Sequence, residues 1–167
     1  HFMQYVSVDT GDWDQAAYIR HGFNPTQFMV NVEQYLDQVP NRNSLTFIIT
    51  LNNLSVSYLD QLLDFILELR SRHNRTYQRI WFDTPVLRNP RWQSVQILPE
   101  AYQRRMKHHI DFMRDNLMPE DSFVGFKDYE IQRMERALAW MCEPQDPERL
   151  KQDRADFYHF FKEYDRR

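Results

Sequence analysis

Three short runs rich in β-branched and aromatic residues, at 2–9, 45–51 and 79–83, are each followed by a longer stretch whose apolar residues recur every three or four positions. Strand patterns that alternate with helix patterns need crossover connections, and crossovers make neighbouring strands parallel and turn right-handed. The expected class is therefore α/β, with three parallel βα units followed by C-terminal helices. The run at 45–51 is almost continuously apolar and β-branched, as expected of a strand buried on both faces.

The helical stretches carry their own start and stop signals. Asn24 is placed to cap a helix with Pro25 at its first position, and Phe28, Val32, Tyr35, Leu36 and Val39 share one face before Pro40 ends it. Leu59, Leu62, Leu63, Ile66 and Leu69 form the buried stripe of a second helix over 58–72. After the third strand come a Pro- and Asn-rich connection at 84–92 and an extended segment at 94–98. Pro99 then starts a helix in which Tyr102, Met106, Ile110, Met113 and Leu117 share a face. Two further helices are expected at 128–141 and at 147–164, the latter capped by Asp146. Residues 1–118 read as the βα region and 119–167 as a helical C-terminal extension.

Because the first strand begins at the first residues of the sequence, its outer edge is expected to pair with something outside the chain, either a missing upstream segment or a second chain. The alternative is a small three-stranded domain whose edges are covered by its own tail helices.

Composition excludes several classes. The net charge of −3 offers no global positive field for nucleic acid or anionic membrane. No apolar run approaches the ~20 residues of a membrane span, and the N-terminus lacks the features of a signal peptide. Cys142 is the only cysteine, which fits a reducing, cytoplasmic compartment and excludes an internal disulfide or an all-cysteine metal site made by this chain alone. Its helical context, Trp140-Met141-Cys142, suggests a small packed hydrophobe. With three glycines in all, there is neither a P-loop nor a dinucleotide fingerprint.

In parallel α/β sheets, ligands bind at the C-terminal ends of the strands. Those ends carry Ser7 and Asp9, then Asn52 and Asn53, then Asp83 and Thr84. Each is also a common turn former. Asp9 and Asp83 could act as an acid–base pair or as ligands of a hard cation. His108 and His109 would point about 100° apart on a helix, wrong for shared metal ligation, and read as solvated. The cluster Arg70, Arg72, His73, Arg75 and Arg79, at a helix end where cations complement the dipole, also reads as a solvated surface, as do Arg104, Arg105 and Lys107.

The stretch Val6-Ser7-Val8-Asp9, followed by Tyr18-Ile19-Arg20-His21-Gly22 and a helix, resembles the fourth strand and following loop of radical S-adenosylmethionine enzymes with twitch- or SPASM-type extensions. Residues 45–53 resemble the fifth strand, and Ser94-Val95-Gln96-Ile97-Leu98-Pro99 resembles the segment after the sixth strand; together these cover most of 2–117. The resemblance implies the second half of a six-stranded partial TIM-like barrel, with the N-terminal half-barrel or a second chain at the first-strand edge. It implies that Ser7 and Asp9 lie near the cofactor's ribose and amino-acid moiety, that Arg20 faces its carboxylate, that Asn52 or Asn53 adds a polar contact, and that Val95, Ile97 and Leu98 flank the adenine. S-adenosylmethionine and a [4Fe–4S] cluster would belong to the complete protein. The Cys-x-x-x-Cys-x-x-Cys motif of the family is not in this sequence, so neither cofactor is expected to be held by this chain alone, which is expected to be inactive by itself. Two other readings stand beside this one. One is an interaction module using the aromatic C-terminal helices, where Tyr158, Phe160, Phe161 and Tyr164 exceed one buried stripe; the other is a fragment of another TIM-type hydrolase or isomerase using Asp9 and Asp83.

Overall fold

A computed structural model describes residues 2–40 and 42–166. Three strands, β1 (Met3–Ser7), β2 (Ser44–Ile48) and β3 (Ile80–Asp83), form one parallel sheet in the order β1-β2-β3. The register aligns Tyr5 with Thr46 and Trp81, and Ser7 with Ile48 and Asp83. The α/β class with three parallel βα units is as the sequence predicts.

Period-two alternation gives the sheet two unlike faces. Leu45, Phe47, Ile80 and Phe82 belong to the hydrophobic core, with Phe47 edge-on to Phe65 and Phe82 edge-on to Phe126. Met3, Tyr5 and Ser7, then Ser44, Thr46 and Ile48, then Trp81 and Asp83 lie on the other face, and none of these belongs to the core. Met3 and Tyr5 are exposed there. The sheet is thus covered with apolar side chains on one side only, although β2 itself is shielded by its neighbours.

The helices α2 (Pro25–Gln38), α3 (Leu59–His73), α4 (Glu100–Asp115), α5 (Asp128–Met141) and α6 (Pro147–Tyr164) lie close to their predicted bounds. Asn24 and Asp146 cap as their types require, accepting from the amides of Gln27 and Arg149. The five stripe residues of α3 are fully buried, each contributing about 1.5–3 kcal/mol of transfer free energy. A short helix, α1 (Trp13–Ile19), lies between the first strand and Arg20, where the sequence predicts no element; Asp12 accepts from Gln15 N at 2.7 Å. Two turns are too short to show a helical period. The segment 94–98 is not extended: it forms a 3₁₀ turn over Val95–Ile97, started by Ser94 Oγ accepting from Gln96 N.

Several residues expected at the surface are inside. Arg70 is completely buried, bonded to Glu130 through both terminal nitrogens at 3.0 and 2.7 Å, to Gly125 O at 2.6 Å and to Ile80 O at 3.1 Å. Arg79 is also buried and donates to the carbonyls of Leu36, Val39 and Asn43, closing the C-terminal end of α2. His109 packs inside with Nε2 on the carbonyl of Val56 at 3.0 Å. In each case backbone carbonyls from residues distant in sequence supply partners, joined for Arg70 by the Glu130 carboxylate, which sequence spacing does not reveal. Cys142, in contrast, is exposed, because it caps the end of α5 one residue beyond the buried Met141.

The two sheet edges are also unlike. Leu45 N and Ile49 N donate to Arg79 O and Asp83 O, so the even-numbered residues of β3 turn their backbone groups outward. There the carbonyl of Ile80 meets buried Arg70. In β1 the carbonyl of Phe2 and the amide of Val8 bond to β2, so Met3, Tyr5 and Ser7 face outward, and no described strand pairs with them. The partner expected for the β1 edge is one outside the chain, and among the described residues no strand takes its place.

Candidate functional site

The rim at the C-terminal ends of the strands is built by three loops. After β1, Gly11 lies so close to α3 that a Cβ would come within 2.3 Å of Leu62 N, and Gly11 N donates to Tyr58 O, tying this loop to the start of α3. Just beyond β1, Asp9 and Arg20 form a two-point ion pair, Nε to Oδ2 at 2.5 Å and Nη2 to Oδ1 at 3.3 Å. The carboxylate raises the Arg20 pKa above its ordinary value, with burial opposing. Asp9 is the more enclosed partner; Arg20 keeps 44% of its side-chain surface in solvent.

Ser7 is exposed at the end of β1, in the same row as Ile48 and Asp83, with Asp83 two strand spacings away, about 10 Å. Asp83 pairs with Arg133 of α5 at 2.6 Å. Both candidate acid–base carboxylates, Asp9 and Asp83, are therefore held by guanidinium groups.

Asn52 is consumed by its own turn: its Oδ1 accepts from Leu54 N and Ser55 N and its Nδ2 donates to Thr50 O. Asn53 instead reaches across the rim, donating from Nδ2 to Trp92 O and from its amide to Gln93 O, while its buried Oδ1 has no partner. It thereby joins the loop after β2 to the segment that leads to 94–98. In that segment Val95 is fully buried and Ile97 nearly so, with Ile97 O held by Arg154 at 2.8 Å, while Leu98 is partly buried against the core. The structure thus brings Asp9 to Arg20 and Asn53 to the 92–98 segment; Val95 has no surface to offer a ligand.

Sequence reasoning missed what α5 and α6 add. Lys127 lies over the ring of Trp81 at 4.5 Å, and Arg133 over Tyr129 at 5.4 Å. Burial raises the Tyr129 pKa to about 12 and lowers that of Lys127. Helix α6 links the two ends of the rim. At one end Arg91 pairs with Asp153 at 3.1 Å and Trp92 packs on Phe160; at the other, Tyr164 donates to Tyr18 O in α1 and Tyr18 donates to Asp165. The Asp165 contact pushes the Tyr18 pKa up to about 12. Phe160, Phe161 and Tyr164 thus make ring contacts within the molecule, yet Phe160 stays exposed at 41% and Tyr158 at 60%. The signal available in the sequence was the i, i+3 pair Arg133 and Arg136, on the side of α5 away from Ile131 and Met134.

Among the described residues no helix is long and apolar enough to cross a membrane, and no group of three His, Cys, Asp or Glu could hold a metal. Comparison with family models, curated proteins and solved structures finds no match.

Proposed function

We propose that this chain is part of a radical S-adenosylmethionine enzyme, contributing half of a partial barrel and one side of the cofactor and substrate site. The reading rests on the motif resemblance together with one observation: the Asp9–Arg20 pair stands at the end of β1, beside the sheet face that the core leaves uncovered. In a closed barrel that face is the lumen. A bare β1 edge is where the other half of the barrel, or a second chain, would pair.

The residues here do not fit the iron–sulfur cluster. The single cysteine is exposed at the end of α5 and no alternative ligand set exists among the described residues. The cluster is therefore assigned to residues outside this chain. The chain does fit the amino-acid end of S-adenosylmethionine. Arg20 is half in solvent, and Asp9 holds its guanidinium through Nε and Nη2, which presents the remaining donors to a carboxylate. Asp9 thus serves to aim Arg20, and Ser7 is an exposed hydroxyl on the adjoining strand end. When cluster and S-adenosylmethionine are both bound, they supply radical chemistry; this chain's part is to bind and orient.

Calorimetric titration of S-adenosylmethionine into the natural full-length protein tests the reading. A charge-assisted bond is worth roughly 1.5–3 kcal/mol, so Arg20→Ala should weaken binding about 10- to 150-fold. Arg20→Lys should recover part of this, because an ammonium lacks the planar fork. Asp9→Asn should fall between wild type and Arg20→Ala. Unchanged affinity in both Arg20→Ala and Asp9→Asn would reduce the pair to a surface ion pair and remove the assignment's structural support.

A further inference from the structure

We propose that the cleft between the loop after β3 and helix α5 binds the phosphate group of a small molecule. The cleft, of about 550 Å³, opens at the strand-end rim and is lined by Asp83, Thr84 and Arg88 from the loop side and by Arg133, Arg136 and Trp140 from the helix. That volume suits a small organic ligand.

The charges in it are unevenly matched. Arg133 is neutralised by Asp83 at 2.6 Å. Arg88 lies over the ring of Trp140 at 5.9 Å and Arg136 is exposed, and neither has a carboxylate within salt-bridge distance among the described residues. One further acid, Glu143, also lines the cleft and accepts from Gln96 Nε2 at 3.4 Å. The lining therefore keeps two guanidinium groups, from two separate elements, without counterions of their own.

The second observation is independent of charge. Thr84 is 6% exposed, its amide donates to Asp83 Oδ1, and its buried hydroxyl has no partner. Buried hydroxyls are as a rule hydrogen-bonded, so an orphan hydroxyl in the lining of a basic cleft has bonding capacity left for a ligand oxygen. Two guanidinium groups on different elements plus a hydroxyl suit a tetrahedral group with several acceptor oxygens; a planar carboxylate is satisfied by one guanidinium fork. Trp140 and Ala137 give the cleft an apolar wall for the organic part of the ligand.

The test uses this chain alone, without S-adenosylmethionine, so it is independent of the cofactor reading. Phenyl phosphate is titrated by calorimetry, with benzoate as the carboxylate comparison. Saturable binding in the millimolar range is expected, complete by about 10 mM. Arg88→Gln/Arg136→Gln should weaken it at least about tenfold, while Arg104→Gln/Arg105→Gln on the exposed face of α4 should leave it unchanged. Thr84→Val should weaken binding about three- to tenfold and Thr84→Ser should preserve it, which separates loss of the hydroxyl from damage to the loop. No saturable heat, equal losses in the two arginine pairs, no effect of Thr84→Val, or benzoate binding as tightly as phenyl phosphate would each overturn the proposal.

Discussion

At the β3 edge, alternation turns the backbone groups of Ile80 and Phe82 away from the sheet, and the Ile80 carbonyl is bonded by a completely buried arginine whose counterion, Glu130, comes from α5. At the β1 edge the equivalent groups of Met3, Tyr5 and Ser7 meet no strand, and the side chains beside them are exposed. Natural edges are usually blunted by lysine, proline or a bulge; β1, with the sequence Met-Gln-Tyr-Val-Ser, has none of these. One edge is closed at Ile80 by the chain's own tertiary structure, and the other has no strand partner among the described residues. The alternative of a small domain whose tail helices cover both edges describes β3 and not β1.

The largest effect is expected from breaking the closed edge. Glu130→Ala leaves the Arg70 charge buried with only carbonyl partners and should cost about 3–5 kcal/mol in denaturant unfolding. Glu130→Gln, which keeps an acceptor oxygen, should cost less. Equal, small losses in both would mean that the pair does not close the edge.

The open edge is sharpened by a pair of prolines. Tyr5 turns its amide outward and Val6 turns its amide toward β2. Both substitutions impose the same restriction on φ, so the difference reports the lost ladder bond together with the packing of Val6 against the core, which exposed Tyr5 lacks. Val6→Pro should be less stable than Tyr5→Pro by about 1–3 kcal/mol, and equal stabilities would refute the assigned alternation.

A smaller effect separates the helical side from β1. Burial pushes the His109 imidazole below its ordinary value, with Arg105 and His108 adding to this and the Val56 carbonyl and Asp60 opposing it. A histidine whose folded pKa is lowered binds more protons when unfolded. Its contribution is therefore complete above about pH 6.5 and is lost as pH falls from there toward the folded value. Stability should decline between about pH 6.5 and 5, and His109→Gln should flatten that slope; an unchanged slope would assign the decline to other groups.

The fold was legible because its signals are local. The stripe from Leu59 to Leu69, the Asn24 and Asp146 caps and the apolar run of β2 each state an element within a few residues. The site was legible only in part. Asp9 and Arg20 were singled out, but their pairing with each other depends on where α1 ends, and α1 is too short to show a period. The buried Arg70 and Arg79 look like any helix-end basic cluster, since what holds them inside is the Glu130 carboxylate and a set of carbonyls from Ile80, Gly125, Leu36, Val39 and Asn43. Arg88, Arg136 and Thr84 lie across a long connection and converge only through the packing of α5 against the rest of the molecule.

Residue-resolved amide exchange along β1, compared between this chain at dilution and the longer protein that the half-barrel proposal requires, tests most directly whether the bare edge is a pairing surface. In the chain alone, Gln4 and Val6 should be protected and Met3, Tyr5 and Ser7 should exchange fast. In that longer protein the same three amides should become as slow as their neighbours. If they stay fast there while Gln4 and Val6 remain protected, nothing pairs with β1 and the half-barrel account is wrong.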